Sequence, residues 1–137
     1  MDIKLLEFNN ENFKGIPQYD LDYAKMEYGR GLEYFENRVK ALNFTGKDKI
    51  LDAGCGVGQW SLIFSRHNKE VAGVDIREER LNIAGKLVEI NSINNIKLVN
   101  SRIEELPFND NTFDAVFCYG VIMFVDPEKQ SKNSQEY

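Results

Sequence analysis

The chain has 137 residues, 42% of them hydrophobic, and its 22 acidic against 17 basic side chains give a formal net charge of −5. That length supports one hydrophobic core, the lack of any apolar run of about 18 residues excludes a membrane-spanning helix, and an acidic balance without basic blocks speaks against general nucleic-acid affinity. Met1-Asp2-Ile3-Lys4 carries mixed charge and no signal-peptide core, so a cytoplasmic protein is expected.

Residues 1–46 read as a helical segment rich in aromatics. Pro17 precedes a helix, Leu32, Phe35, Val39 and Leu42 recur at helical spacing, and Tyr19, Tyr23, Tyr28, Tyr34 and Phe35 interleave with acids, most of them as core. An apolar run, Ile50-Leu51, then ends in Asp52 and three alternating glycines, and a helix follows over Gln59 to Arg66. His67 stands at the end of that helix, where a basic group suits the dipole, and reads as solvated. A second strand, Val71-Ala72-Gly73-Val74, closes in Asp75. Arg77-Glu78-Glu79-Arg80 reads as the solvated first turn of a helix Glu78 to Asn91 with Leu81, Ala84, Leu87, Val88 and Ile90 toward a sheet. Ile96 to Asn100 is a third strand, and Ala115 to Tyr119, apolar on both faces, a fourth. The last ten residues are polar, aperiodic and expected to fray. Cys55 and Cys118 have neither metal-ligand spacing nor a secreted context and read as small buried residues.

The segment Asp52-Ala53-Gly54-Cys55-Gly56-Val57-Gly58 is a strand turning sharply into a helix. Glycine allows positive φ and close approach of a ligand, and the free N–H groups of the next helix turn can face an anionic group. Strand, glycine turn, helix and acid-terminated strand form the βαβ context in which such a turn holds a nucleotide. The dinucleotide fingerprint G-x-G-x-x-G would need glycine at position 59, where the chain has Gln59; the third glycine is Gly58 instead.

An acid followed by G-x-G-x-G resembles the first motif of the class I S-adenosylmethionine-dependent methyltransferases. The likeness extends through Asp75 to Glu104-Glu105-Leu106-Pro107-Phe108 and Phe113-Asp114-Ala115-Val116, which is similar to the segment leading into that family's fourth strand, and it is closest to the subgroup called methyltransferase type 11. The resemblance spans about Lys47 to Pro127. It implies a Rossmann-like, doubly wound α/β fold with a mostly parallel sheet in the order 3-2-1-4. The N-terminal residues 1–46 then form a helical cap, 47–127 the cofactor-binding core and 128–137 a polar tail, all in one domain.

The resemblance also implies roles for single residues. Gly54, Cys55 and Gly56 would lay backbone against the methionyl end of S-adenosylmethionine, with Asp52 near its amino group and Gly58, Gln59 and Trp60 completing the turn. Asp75 would accept from both ribose hydroxyls and Ile76 would pack on adenine. Where the family commonly has an Asp for the adenine amino group this chain has Arg102, which has no acceptor, so adenine is left to backbone around Arg102 and Ile103 or to stacking. Tyr119 would flank the cofactor from strand four, and Tyr19, Tyr28 and Arg30 are cap residues able to reach the methionyl carboxylate, Arg30 with two bonds. The activated methyl belongs to the cofactor, so neither a catalytic residue nor a metal site is assigned.

After strand four there is no Asn-Pro-Pro-Tyr or Asp-Pro-Pro-Tyr, which makes nucleic-acid bases less favoured acceptors than small molecules, and Phe124 stands where relatives often have His. The family's remaining three strands are missing after strand four, so the fold is expected to be truncated. Strand four becomes an edge, and a homodimer or a partner chain joined there is expected. Three readings stay open: an active small-molecule methyltransferase, a cofactor-binding remnant or subunit without its own catalysis, and, ranked last because of Gln59, an NAD-type dinucleotide module.

Overall fold

The computed structural model describes residues 2–105 and 112–118. In chain order it contains α1 (Gln18–Tyr28), α2 (Leu32–Ala41), β1 (Lys49–Ala53), α3 (Gln59–His67), β2 (Glu70–Asp75), α4 (Glu78–Ile90), β3 (Ile96–Asn100), a 3-10 turn (Ile103–Glu105) and β4 (Ala115–Phe117). The strands form one parallel sheet in the order β3-β2-β1-β4, the Rossmann-like arrangement expected. Reversal of the strand order between β1 and β4 opens a crevice at their carboxyl ends, where the glycine turn lies.

Alternation along the strands assigns the two faces. Ile50, Val71 and Phe117 meet Phe35 and Val39 of α2 and Trp60, Ile63 and Phe64 of α3 in one apolar cluster. Leu51, Ala53, Ala72, Val74 and Phe113 form a cluster on the opposite face. Among the described residues the α-helices contribute only to the first of these faces and to the cap cluster beside it. Phe35 and Phe64 are fully buried there, each worth about 2 kcal/mol or more of apolar transfer.

The cap is continuous with the core. Leu21, Ala24 and Tyr28 of α1 pack with Phe8, Phe13, Val57, Leu62, Ile83 and Leu87. Helix α3 ends at Asn68, which leaves helical geometry and turns its side-chain amide onto the carbonyls of Phe64 and Phe44, while Lys47 N–H donates to its oxygen.

Several expectations are corrected. His67 is not merely solvated: its Nε2 meets the Glu36 carboxylate of α2, which also lies 3.8 Å from Lys40 and from Arg66. Arg77 and Arg80 are likewise engaged, because both reach the buried Asp20. Leu42 faces outward, 52% exposed, since α2 ends one residue before it. Cys118 is half-buried rather than buried, and both thiols are free. Tyr119, Phe124 and the polar tail lie outside the described residues.

Candidate functional site

The glycine turn is tied to the second strand before the helix begins. Both Gly54 N–H and Cys55 N–H donate to the Val74 carbonyl, at 2.7 and 2.9 Å, so the turn folds over the end of β2. Gly58 has φ +83°, and a Cβ there would sit 2.9 Å from that of Ala84, so only glycine allows α3 to start this close to α4. Gly56, at φ +55°, donates its N–H to Asp75 Oδ2 at 2.8 Å.

Asp75 Oδ1 accepts from Arg77 N–H, also at 2.8 Å, so both carboxylate oxygens are oriented by backbone and each retains a lone pair. The Asn100 amide donates to the carbonyls of Asp75 and Ile76 at 3.0 Å and fixes the loop that carries them. The Ile76 side chain is 61% exposed beside this carboxylate, an apolar platform next to an anionic acceptor.

Asp52 lies beneath the turn, 1% exposed, with Oδ2 accepting from Ser61 Oγ at 2.7 Å. Burial pushes its carboxyl up to about 7, with the Asp75 charge adding to the effect and the Ser61 hydrogen bonds opposing it. Burial also raises the Cys55 thiol, helped by Asp52 and Asp75, so this cysteine is an inert filler of the turn.

The family described as "Methyltransferase domain" matches residues 50–137. The chain belongs to that family. The uncharacterized methyltransferase YcgJ of Bacillus subtilis is 30% identical over 92 residues, which are 66% of this chain and 36% of that protein. Its crystal structure superposes with a TM-score of 0.64 at 28% identity, covering 73% of this chain and 43% of the other. The demethylmenaquinone methyltransferase of Geobacillus sp. (strain WCH70) is 30% identical over 72% of this chain and 43% of its own length. The N-terminal domain of EvdMO1 with SAH bound superposes with a TM-score of 0.62 at 26% identity, covering 74% of this chain and 44% of that one. The chain thus spans less than half the length of the curated relatives it matches.

Within this methyltransferase domain the residues singled out by sequence fall into two groups. Asp52, Gly54, Cys55, Gly56 and Gly58 lie in or beneath the glycine turn, and Asp75 meets that turn through Gly56 with Ile76 exposed beside it. Gln59 is buried at the head of α3 and donates through Nε2 to Glu27 Oε1 of the cap at 2.9 Å. Trp60 follows it in the helix, but its ring lies in the core between Phe35 and Phe117, at centroid distances of 4.9 and 4.8 Å. Ile103 packs against the opposite-face cluster, and Arg102 pairs with Glu104 at 3.1 Å.

The cap residues differ most from expectation. Tyr28 is buried and donates its hydroxyl to the Val57 carbonyl at 2.7 Å, bracing the turn from behind, and burial, then the charges of Cys55 and Asp52, push its phenol well up. Arg30 reaches Tyr34 Oη at 3.0 Å and Glu27 at 3.5 Å, and Tyr19 is exposed beside Arg77 and Arg80. Tyr23 lies against Gly56, its hydroxyl 3.6 Å from where a Cβ there would stand. Tyr19, Tyr23 and Glu27 stand at i, i+4 and i+8 of α1, a spacing that places them on one stripe but does not single out Tyr23. A cavity of about 390 Å³ lies elsewhere, where Lys49 and Glu70 begin their strands and Lys97 and Phe113 join them, and is separate from the crevice.

Proposed function

We propose that this chain binds S-adenosylmethionine across the glycine turn and serves methyl transfer to a small-molecule acceptor. The observation that carries the reading is the Asp75 carboxylate, held by Gly56 and Arg77 amides with lone pairs to spare and flanked by the exposed Ile76. A ribose diol presents two donors, which a fixed carboxylate can accept, and the negative charge disfavours a phosphorylated ribose. Ile76 offers the apolar surface on which adenine would lie. Gly54, Cys55 and Gly56 bring backbone to the methionyl end, with Asp52 beneath as the acid nearest an ammonium group and Tyr23 above, in place of the Tyr28 and Arg30 expected from sequence. S-adenosylmethionine, when bound, supplies the activated methyl group; the protein orients it and excludes water.

The dinucleotide reading is weaker. Position 59 carries a buried glutamine bonded to Glu27 where that fingerprint needs close helix packing on glycine.

The cap (1–46), core (47–127) and tail (128–137) are read as one domain, working in the cytoplasm. Among the described residues β4 pairs only with β1, and its outer edge is the place for a second copy or a partner chain to add a strand. A cofactor-binding subunit that depends on such a partner for catalysis is the second reading.

Calorimetric titration with S-adenosylmethionine and S-adenosylhomocysteine, with NAD as control, tests the proposal. Micromolar binding of the first two alone supports it. Binding of NAD alone, or of none by folded protein, overturns it.

A further inference from the structure

Asp20 is an acid in the first turn of α1 and is fully buried. Its partners come from the far side of the crevice. Arg77 donates from Nε to Oδ1 at 2.9 Å and from Nη2 to Oδ2 at 2.6 Å, and Arg80 donates from Nε to Oδ1 at 3.0 Å. Burial alone would raise this carboxyl; the hydrogen bonds and charges of the two arginines outweigh that and hold it lowered. A buried carboxylate with three charged donors is expensive to unpair, because removing the arginines strands its desolvated charge.

The clasp has functional geometry on both sides. Arg77 is the residue whose amide orients Asp75. Arg80 stacks 3.7 Å over the ring of Tyr23, which lies on Gly56, and Tyr19 stands 5.5 Å from the same guanidinium. Cap, ribose-side loop and glycine turn are thus joined through one carboxylate, 57 residues from Arg77 in sequence.

We propose that Asp20 is a positioning residue of the cofactor site: by gripping Arg77 and Arg80 it clasps α1 to the β2–α4 loop and keeps Tyr23 closed over the glycine turn. The inference rests on the S-adenosylmethionine reading above. The clasp thus braces the cap against the edge of the cofactor site, and a bound ligand departs faster when the Asp20 clasp is released.

The test is the binding kinetics of S-adenosylhomocysteine on the whole chain by surface plasmon resonance, for wild type, Asp20→Asn and Arg80→Gln. Calorimetric stoichiometry reports the folded, competent fraction of each. A clasp predicts a dissociation rate about tenfold or more faster in both variants, with association within about twofold and stoichiometry unchanged. A purely structural Asp20 instead lowers stoichiometry while the folded remainder releases ligand at the wild-type rate, which overturns the proposal. Should Asp20→Asn fail to fold, an unchanged dissociation rate in Arg80→Gln overturns it equally. If wild type binds no S-adenosylhomocysteine, the cofactor reading falls and this inference with it; if wild type binds and only the rates stay unmoved, the inference alone falls.

Discussion

Asp52 accepts a hydrogen bond from Ser61 at 2.7 Å beneath the glycine turn, a carboxyl group almost wholly removed from water and held by a neutral hydroxyl. Its folded-state value of about 7 lies above the ordinary 3.8, so the neutral form is favoured by folding. Its contribution to stability is therefore fully present below about pH 4 and is lost as pH rises toward 7, a change on the order of several kcal/mol. Urea melts of wild type and Asp52→Asn across this range should show a wild-type stability that falls relative to the variant as pH rises. Parallel curves would mean that Asp52 ionises normally.

Asp75→Ala removes the acceptor for two backbone amides and, in the proposed site, for the ribose. Affinity for S-adenosylhomocysteine should drop by about 1 to 3 kcal/mol in calorimetry, with far-UV circular dichroism unchanged. Undiminished binding would exclude Asp75 from the ligand contact.

Gly58→Ala forces a side chain into φ +83° and against Ala84 at 2.9 Å. The melting midpoint should fall by an amount equivalent to about 1 to 3 kcal/mol. A variant as stable as wild type would show that α3 and α4 can part at this point without cost.

Glu36 joins α2 to the end of α3 through His67 and Arg66, with its side chain only 18% exposed. A double-mutant cycle of Glu36→Ala and His67→Ala should give a coupling of about 0.5 to 1 kcal/mol in chemical denaturation. Strict additivity would mean that the two groups meet without stabilising each other.

Strand and helix periods, the glycine spacing and the acids closing β1 and β2 made the alternating strands and helices and the glycine turn legible in the sequence, while the 3-2-1-4 order was legible only through the family resemblance. Each of these signals is short-ranged. The apolar run and the glycine turn lie within a few residues of one another, and backbone sterics at Gly58 leave little choice about where the helix starts, whereas Gly56 meets Asp75 across 19 residues. The fates of His67, Arg77 and Arg80 were not legible in the same way: each reads as a charge at a helix end, and what makes it more than that is an acid contributed by a different helix.

Sequence by itself determined the strands, the helices and the glycine turn, because periodicity, turn chemistry and strand-end acids act through neighbours along the chain; the order of the strands was implied by the family resemblance. Only the tertiary structure decided which cap residue lies over that turn. Tyr28 turns inward to Val57, Tyr23 lies on Gly56, and Asp20 crosses to Arg77 and Arg80. Those choices follow from how α1 docks on α4 and the turn, a matter of burial and charge pairing between segments that no local pattern encodes.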